Sequence, residues 1–428
     1  METYLLDWAN LLLRWLHVIT AIAWIGSSFY FVWLDDSLVP PEDDGPKQRG
    51  VGGELWSVHG GGFYHAQKYP KGPPRLPAHL HWFYWESYST WLSGFALFTV
   101  LYLWNAGSFL VDKSRYDWSP VAAGTAALGF LVAGWLVYDA ICRLVGQVKE
   151  PLGNPAGLPS PEGSGPPWGG PAVGRDAQPK MILRTGNDAL VLGLLFVYVV
   201  AATWLACQVF AGRAAFLLMG AMLATIMSAN VFFWIIPGQR KVVAQLRAGQ
   251  APEALHGQRG KQRSVHNTYF TLPVLIAMLS NHYGMLTQHP HNWLVLSVLM
   301  LVGALVRQFF VTRHKGRSPW ALVAAAVALL LVLGVWLAPA PARVEAAAAV
   351  PTLAQVTAVV QQRCVPCHNA QLQNKGVALD TPALIVQHAQ QIQQQAVLQR
   401  LMPLNNATQI TEDERALLGR WIQAGAKP

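Results

Sequence analysis

The sequence Cys364-Val365-Pro366-Cys367-His368 decides the fold of the C-terminal part of this chain. Two cysteines at this spacing can bond to the two vinyl groups of one haem, and the histidine after them can ligate its iron. Met402 is the only methionine after Met300 and lies a suitable distance downstream for a second axial ligand. A thioether ligand raises the reduction potential of the iron, which suits an electron acceptor. The motif therefore predicts a small cytochrome c domain, with His368 and Met402 as iron ligands.

Two other kinds of site use cysteines at this spacing. A structural zinc site needs four ligands, and the remaining cysteines, Cys142 and Cys207, lie far away within apolar segments. A thioredoxin-like dithiol would accompany a βαβ pattern, which the flanking sequence lacks. His388 is an alternative second iron ligand, but its glutamine-rich surroundings are typical of an exposed helix. The haem interpretation with Met402 is therefore preferred.

The composition of the whole chain predicts a membrane protein. Of the 428 residues, 53% are hydrophobic and only 12% are charged, which excludes an ordinary soluble protein of this size. The first apolar segment follows Glu2 and Asp7 rather than a basic region, and no cleavage site of small residues follows it. We therefore expect this segment to stay in the protein as an anchor.

Eight apolar segments are long enough to cross a bilayer, whose hydrocarbon core of about 30 Å requires about 20 helical residues. They comprise residues 10–34, 84–105, 119–141, 189–211, 214–236, 268–286, 292–312 and 319–338. The sequence therefore predicts an all-α fold in three parts. These are a polytopic membrane bundle of eight transmembrane helices (1–338), an Ala/Pro linker (339–350), and a small helical, class I-like cytochrome c domain (351–428).

The distribution of positive charge predicts the orientation of these segments. Connections after the odd-numbered segments contain 19 lysines and arginines, whereas those after the even-numbered segments contain 3. Because basic loops stay in the cytoplasm, both termini are expected on the opposite side. The cytochrome domain would then lie in the periplasm, outside a bacterial inner membrane. The net charge of +9 accordingly reflects topology, and we expect no nucleic-acid partner.

Two cytoplasmic connections are long. Residues 35–83 include a stretch from 50 to 65 in which glycines alternate with aromatic residues and histidines, as in either a functional loop or a surface strap. Residues 142–188 include a stretch from 151 to 171 that is rich in proline and glycine and has too few apolar residues to fold alone. The second connection is therefore expected to be an irregular strap.

The C-terminal domain is expected to be helical around its haem. One helix leads into Cys364, and a last helix begins at Thr411, where Glu414 completes a capping box. Three apolar residues recur on one face of that helix, namely Leu417, Leu418 and Trp421. We expect this face to pack on the first helix. Because so small a domain has little core of its own, the covalent haem would supply much of it.

Polar side chains inside apolar segments predict a buried site, because such groups are costly in a bilayer and are usually functional or paired. Most lie toward the predicted cytoplasmic side, where they would line a substrate pocket. The candidate catalytic residues are Glu86, His81, His266, Asn230 and Asp139. Two neighbours in this layer have simpler alternatives, since Asn267 would cap a helix and Arg307 would reach to the membrane interface.

A second polar layer, of Arg14, His17 and His282, lies toward the predicted periplasmic side. Electrons released on the cytoplasmic side would have to cross most of a bilayer about 30 Å thick to reach the cytochrome. A b-type haem whose iron is ligated by His17 and His282 would bridge this gap, with His81 and His266 as a second pair. The alternative is a substrate site near the periplasmic face, which needs no relay.

Three aromatic-rich parts of the chain carry a resemblance to a known family. They are His79-Leu80-His81-Trp82-Phe83-Tyr84-Trp85-Glu86 with Trp91-Leu92-Ser93-Gly94-Phe95, then Asn230-Val231-Phe232-Phe233-Trp234-Ile235-Ile236-Pro237, and His266-Asn267-Thr268-Tyr269-Phe270-Thr271-Leu272-Pro273 with Ser280-Asn281-His282-Tyr283. The chain resembles the bacterial membrane-bound urate oxidases, or urate hydroxylases, over essentially its whole length. In that family an eight-helix domain is fused to a cytochrome c, whose motif this chain matches at Cys364, Cys367, His368 and Met402. The resemblance does not assign catalytic residues.

The resemblance implies oxidation of urate to 5-hydroxyisourate, with electrons passing to the cytochrome rather than to dioxygen, so that no hydrogen peroxide forms. One covalent haem c is expected, with one or two b haems as a hypothesis, and a soluble cytochrome c or terminal oxidase as the next acceptor. Urate is a planar anion on which Trp82 or Trp85 would stack, while Asn230 or Asn267 reads its edges. The candidates for the general base are Glu86, His81 and His266.

Two other function classes stay open on the sequence alone. The membrane domain would instead oxidise a quinol or another small molecule, in a site that faces lipid and lacks amides to read a purine. Alternatively, the protein would be a non-enzymatic conduit for electrons across the membrane.

Overall fold

The structure is a computed structural model that describes residues 2–70, 72–146, 188–280, 282–314, 316–338 and 350–427. The described chain is mostly helical, as the sequence predicts. Helices occupy all eight segments expected to cross the membrane: α1 (Glu2–Ser37), α3 (Trp85–Phe98), α5 (Pro120–Leu144), α6 (Asp188–Val209), α7 (Gly212–Asn230), α9 (Ala254–Ser280), α11 (Asn292–His314) and α12 (Trp320–Trp336). The shorter helices of this part are α2 (Asp44–Gln48), α4 (Ala106–Phe109), α8 (Ile236–Arg247) and α10 (Gly284–Thr287).

Within the described residues, five helical stretches are long and apolar enough to cross a membrane. They are Tyr4–Ser37, Pro120–Leu144, Leu190–Val209, Gly212–Arg247 and Asn292–His314. Helix α12 is apolar but shorter, and α9 carries basic residues in its first half. The structure therefore supports several apolar helices, and the number of eight spans stays a prediction.

Helix α7 forms the centre of the bundle, packed against α3, α5, α6 and α9. Its residues Leu218, Met219 and Leu223 are completely buried. A Cβ atom at Gly134 of α5 would lie 2.3 Å from Cγ of Met222, so only glycine allows this approach between α5 and α7. Since side chains four residues apart share a helix face, Tyr138 one turn later on α5 is also directed at α7.

Two helices differ in extent from the sequence prediction. Helix α7 continues through a π-helical segment (Val231–Ile235) into α8, beyond the expected end at residue 236. Helix α9 begins at Ala254 rather than at 268, and it ends at Ser280 rather than at 286. A hydropathy pattern treats the polar start of α9 as a loop, yet Gln262 and Arg263 are buried there. These residues therefore belong to the interior of the bundle.

The connection between α1 and α3 contains a β-hairpin, which the all-α prediction lacks. Its strands, β1 (Gly53–His59) and β2 (Gly62–Lys68), pair antiparallel. The turn residues Gly60 and Gly61 have φ angles of +58° and +81°, the left-handed conformation that a two-residue hairpin turn requires. Trp56 stacks on His65 across the strands at 4.2 Å between ring centroids. The interleaved glycines and aromatic residues therefore form a hairpin. The high glycine content obscures the alternation of apolar and polar residues by which a strand is recognised in a sequence.

Residues 350–427 form a second helical cluster with its own core. Its helices are α13 (Leu353–Arg363), α14 (Pro382–Gln387), α15 (Ala389–Ile392) and α16 (Glu412–Gln423), with a π segment at Gln393–Leu398 and 3₁₀ turns at Asn374–Gly376 and Leu404–Asn406. Helices α13 and α16 pack together, and Val356, Val360, Leu418 and Trp421 in their core are at most 2% exposed. The expected packing of the last helix on the first is confirmed.

The capping box at the start of α16 is confirmed as well. The hydroxyl of Thr411 accepts a hydrogen bond from the amide of Glu414 at 3.2 Å, and Oε2 of Glu414 accepts one from the amide of Thr411 at 2.7 Å. Glu414 also pairs with Arg363 at the end of α13, at 3.0 Å. Desolvation opposes ionisation of Glu414, but the hydrogen bonds from Arg363 and Thr411 outweigh it and lower the pKa of this carboxyl.

The tail contacts the bundle at α4 and α10. Nδ2 of Asn405, a residue only 4% exposed, donates to the carbonyl oxygens of Ser108 at 2.5 Å and Phe109 at 3.2 Å. A Cβ atom at Gly284 would lie 1.9 Å from the carbonyl oxygen of Gln399, so the two backbones touch there. The expected linker, apart from residue 350, and the proline- and glycine-rich strap lie outside the described residues.

Candidate functional site

A buried network of polar side chains lies at the end of α7, and Asp139 of α5 is its anionic centre. Oδ1 of Asp139 accepts hydrogen bonds from Nη2 of Arg263 at 2.7 Å and from Nε1 of Trp234 at 2.9 Å. Oδ2 accepts one from Nε of Arg143 at 2.5 Å. Asp139 is 5% exposed and Arg263 is 3% exposed, so this is an ion pair removed from water.

Tyr138, next to Asp139, organises the other half of the network. Its hydroxyl oxygen lies 2.8 Å from Nδ1 of His266 and accepts a hydrogen bond from Nδ2 of Asn230 at 2.9 Å. The amide nitrogen of Asn230 cannot accept the tyrosine proton, whereas Nδ1 of His266 can, so we assign this proton to the hydrogen bond with His266. Nδ1 of His266 is then an acceptor, and the ring proton resides on Nε2. His266 therefore presents Nε2–H as the donor that points away from Tyr138.

Both amides that the sequence assigned to substrate recognition are engaged with protein groups. Nδ2 of Asn230 also donates to Oδ1 of Asn267 at 3.0 Å, and Nη1 of Arg263 lies 3.4 Å from Oδ1 of Asn230. Asn267 in turn donates to the carbonyl oxygen of Met227 at 2.9 Å. Asn267 lies inside α9 and does not cap it, so that alternative is wrong. The two amides therefore bind other groups of the network. Nε2 of His266 is the polar atom of the network that remains available to a ligand.

Three of the five candidate catalytic residues thus meet in one network, namely Asp139, Asn230 and His266. Sequence reasoning missed Tyr138, Arg263 and Trp234. Tyr138 is adjacent to a candidate, but tyrosine is common in apolar segments, and Arg263 lay in a stretch interpreted as a loop. Trp234 reaches Asp139 from the π segment after Asn230. Such π segments occur frequently at functional sites, because the extra residue redirects the side chains that follow.

Glu86 and His81 lie outside this network. Glu86 lies in the first turn of α3 next to Ser87, whose hydroxyl donates to Ser228 of α7 at 3.2 Å. Oε2 of Glu86 is buried without a hydrogen-bond partner in the described part of the chain, which is unusual for a carboxylate. His81 is exposed and contacts Phe83 edge to face at 4.5 Å between ring centroids. Oε2 of Glu86 therefore has an unused capacity to accept a hydrogen bond, as expected of a group that contacts a substrate.

The histidines predicted to bind a b-type haem lie in different settings. Nδ1 of His17 is 3.1 Å from the carbonyl oxygen of Thr90 and 3.2 Å from the hydroxyl of Ser93, so its ring packs on α3. A Cβ atom at Gly94 would lie 2.8 Å from Cε1 of His17, and glycine is what makes room for the ring. This arrangement leaves Nε2 as the atom that would ligate an iron, as in many metal-bound histidines. His282 is exposed in the turn after α9, and the pairing stays a prediction.

The tail residues suit a covalent haem. Nδ1 of His368 lies 3.2 Å from the carbonyl oxygen of Val377, a hydrogen bond that places the ring proton on Nδ1 and frees Nε2 for iron. Cys364 and Met402 pack against the apolar core of the tail. Nη1 of Arg415 donates to the carbonyl oxygen of Met402 at 2.9 Å, which holds this segment in place. The donor set is therefore one soft thioether, one imidazole nitrogen and two thiols.

The alternatives for the cysteine motif find less support. In the described residues, no group of three or more histidine, cysteine, aspartate or glutamate side chains can hold a metal ion. Burial raises the pKa of the Cys364 thiol to about 11, whereas the reactive cysteine of a redox dithiol has a lowered pKa. His388, the alternative iron ligand, is likewise hydrogen-bonded through Nδ1, to Gln391 at 2.8 Å, so this bond does not distinguish it from His368 and the alternative stays open.

One protein family is recognisable in the bundle. The family model described as urate oxidase N-terminal matches residues 3–154 and 177–338, which is more than half of the chain. The chain belongs to this urate oxidase family. No curated protein and no solved structure matches it.

Membership in the urate oxidase family indicates an oxidoreductase that acts on urate. The buried network, Glu86 and the histidine candidates of the bundle all lie within the matched residues. The match ends at residue 338, so the haem assignment depends on the residues of the tail itself.

Proposed function

We propose that this urate oxidase family protein is membrane-bound, converts urate to 5-hydroxyisourate, and delivers the electrons to a C-terminal cytochrome c. The observation that carries the proposal is the combination, in one chain, of the family's domain with a tail docked on it. The tail has the residues for a covalent haem and its ligands, namely Cys364, Cys367, His368 and Met402.

The proposed reaction balances without dioxygen. Urate and one water molecule give 5-hydroxyisourate, two protons and two electrons. Loss of the two electrons makes C5 of the purine electrophilic, and the oxygen of water forms a bond to C5 while a proton leaves. When bound, haem c supplies an acceptor of one electron at a time, so each turnover requires two transfers. Hydrogen peroxide is not a product.

The protein residues bind the substrate and handle the protons. Oε2 of Glu86, buried without a partner among the described residues, is the proposed acceptor of a proton from urate or water. Nε2–H of His266 is the proposed donor to a carbonyl oxygen of the purine. Tyr138 and Asp139 do not contact the substrate in this proposal, because they hold His266 and Arg263 in position.

The proposed location is a bacterial inner membrane, with both termini and the cytochrome on the periplasmic side. Several apolar helices and the distribution of lysine and arginine support this orientation. A b-type haem whose iron is ligated by His17 and His282 remains part of the proposal. Absorption spectra of a variant that lacks Cys364 and Met402 test it, since a spectrum without residual haem would exclude a b haem.

The function is tested by adding urate anaerobically to the oxidised, purified protein and recording the haem c absorption bands. Reduction by urate, but not by xanthine or a quinol, is the expected result. Formation of 5-hydroxyisourate without hydrogen peroxide is measured in the same sample.

The control is a variant with serine at both Cys364 and Cys367. It is expected to bind urate but to pass no electrons to an external acceptor. Reduction of the wild-type protein by quinol alone would replace the proposal with a quinol dehydrogenase. An absence of reduction by any of these compounds would indicate an electron conduit that has no substrate site.

A further inference from the structure

Arg307 is a buried cation in the middle of an apolar helix. It lies on α11 and is 3% exposed, so its side chain is enclosed by neighbouring protein groups. Its guanidinium carbon is 4.1 Å from the ring centroid of Phe29 on α1, a cation–π contact. The aromatic ring supports one face of the guanidinium and leaves its edges available for hydrogen bonds.

One edge of this guanidinium lacks a partner. Nε and Nη2 of Arg307 are buried and make no hydrogen bond within the described part of the chain. Nε–H and one N–H of Nη2 point in parallel from the same edge of the planar guanidinium. This geometry binds two acceptor atoms at once. A buried charge with two unused parallel donors is costly unless a ligand completes it.

The polar neighbours of Arg307 leave its Nε and Nη2 edge without a partner in the described part of the chain. Asp36 and Tyr269 are its electrostatic neighbours, but neither bonds to Nε or Nη2. The hydroxyl of Tyr269 donates to Oε1 of Gln308 and is thereby turned toward α11. Helix α1 packs mainly on α3 and has fewer contacts with α11 and α9. The guanidinium therefore lies at the contact between α1 and α11.

We propose that the Nε and Nη2 edge of Arg307 binds the anionic edge of the purine substrate. The inference rests on the proposed function and identifies a substrate-binding residue for it. The urate monoanion offers a deprotonated ring nitrogen and an adjacent carbonyl oxygen in one plane, which match two parallel N–H donors. A lysine at this position would keep the charge but lose the paired donors.

The test compares urate binding to wild type, Arg307→Lys and Arg313→Lys by equilibrium dialysis with radiolabelled urate. Arg313 is the matched control, because it is an exposed arginine in the last turn of the same helix. Arg307→Lys is expected to raise the Kd for urate about tenfold or more, the effect of losing a charge-assisted hydrogen bond. Arg313→Lys is expected to leave the Kd unchanged.

Three further measurements complete the test. Reduction of haem c by ascorbate and the thermal unfolding midpoint should be unchanged in Arg307→Lys. If that variant does not fold, Phe29→Leu removes the ring beneath the guanidinium and should weaken urate binding instead. The third measurement is retention of an anionic phospholipid by the detergent-purified protein.

Equal urate affinity in wild type and Arg307→Lys would overturn the inference while leaving the proposed function intact. Loss of the lipid with unchanged urate affinity would assign the site to a lipid phosphate and overturn it too. If the wild-type protein neither binds urate nor is reduced by it, the proposed function itself fails.

Discussion

Asp139 and Arg263 depend on each other because both are removed from water. Asp139 is 5% exposed and Arg263 is 3% exposed, so neither charge can be solvated if the other is lost. The side chain of Arg143 also bonds to Asp139, but it is 59% exposed and can turn to solvent. Loss of the Asp139 carboxylate would therefore leave the buried positive charge of Arg263 without a counter-charge.

Asp139→Asn is expected to lower the free energy of unfolding by about 3 kcal/mol or more, as found when one partner of a buried pair is removed. Equilibrium unfolding in mixed detergent micelles measures it. Asp117→Asn is the control, because the side chain of Asp117 is 77% exposed and lies 3.8 Å from Lys113. An exposed pair contributes about 1 kcal/mol at most. Equal losses in the two variants would contradict a buried ion pair.

Tyr138→Phe removes the hydroxyl that contacts both His266 and Asn230. The rate of urate oxidation is expected to fall by about 10²-fold, since His266 loses the partner that orients its Nε2–H toward the purine. The measurement is kcat for urate as a function of pH, which should also change its profile.

Tyr198→Phe is the matched control for this prediction. The hydroxyl of Tyr198 donates to the carbonyl oxygen of Gly134 at 3.0 Å, and it lies outside the network. Both variants should lose about 1–3 kcal/mol of stability, but only Tyr138→Phe should alter the pH profile. The same kinetic defect in both would show that stability, not positioning, explains it.

At the scale of elements, Glu414 joins the two long helices of the tail. Its pKa is lowered in the folded domain because hydrogen bonds from Arg363 and Thr411 outweigh the effect of desolvation. The stabilisation is therefore present above the ordinary pKa of a glutamate and is lost as the pH falls through the lower, folded value. Glu414→Gln is expected to reduce stability at pH 7 and to flatten the decline toward acid pH.

Thermal unfolding of the full chain, monitored by the haem band between pH 3 and 7, measures this effect. Asp413→Asn is the control, because Asp413 lies in the first turn of the same helix and its side chain is exposed. It should change stability less at neutral pH. A decline toward acid that is the same in wild type and Glu414→Gln would contradict the prediction.

The elements differ in how far the sequence predicts them. Long apolar helices follow from composition, because burial in lipid or protein requires internally satisfied backbones. The early start of α9 does not follow from composition, because Gln262 and Arg263 are typical of loops. In the structure Gln262 donates to the carbonyl oxygen of Gly146, and Arg263 donates to Asp139. The π segment before α8 is likewise invisible, because one inserted residue leaves the apolar pattern intact.

At the scale of the whole molecule, the tail is expected to receive electrons through its contact with the bundle. Met402 lies between Gln399, whose backbone touches α10, and Asn405, which donates hydrogen bonds to α4. Asn405→Ala and Gly284→Ala should each slow the reduction of haem c by urate severalfold, because they loosen or obstruct that contact. Stopped-flow absorption spectroscopy measures the rate.

Gly334→Ala on α12 is the control, because a Cβ atom at that position meets nothing within 4 Å. The rate of reduction by ascorbate and the midpoint potential should stay the same in all three variants. Cross-linking between cysteines introduced at Ser108 and Asn405 should succeed even in protein without haem. Unchanged reduction by urate in both contact variants would exclude this route.

The sequence by itself determined the helical class, the spacing of Cys364, Cys367 and His368, and the polar residues available for chemistry. These depend on composition and on short local spacings, such as Cys364 to His368. Only the tertiary structure decided which polar groups are satisfied and which are free. Asn230 and Asn267 are engaged by protein atoms, whereas Glu86 and Arg307 have polar atoms without a hydrogen-bond partner among the described residues. Hydrogen bonds between helices that are distant in sequence depend on how those helices pack. The amino-acid sequence alone does not show this packing.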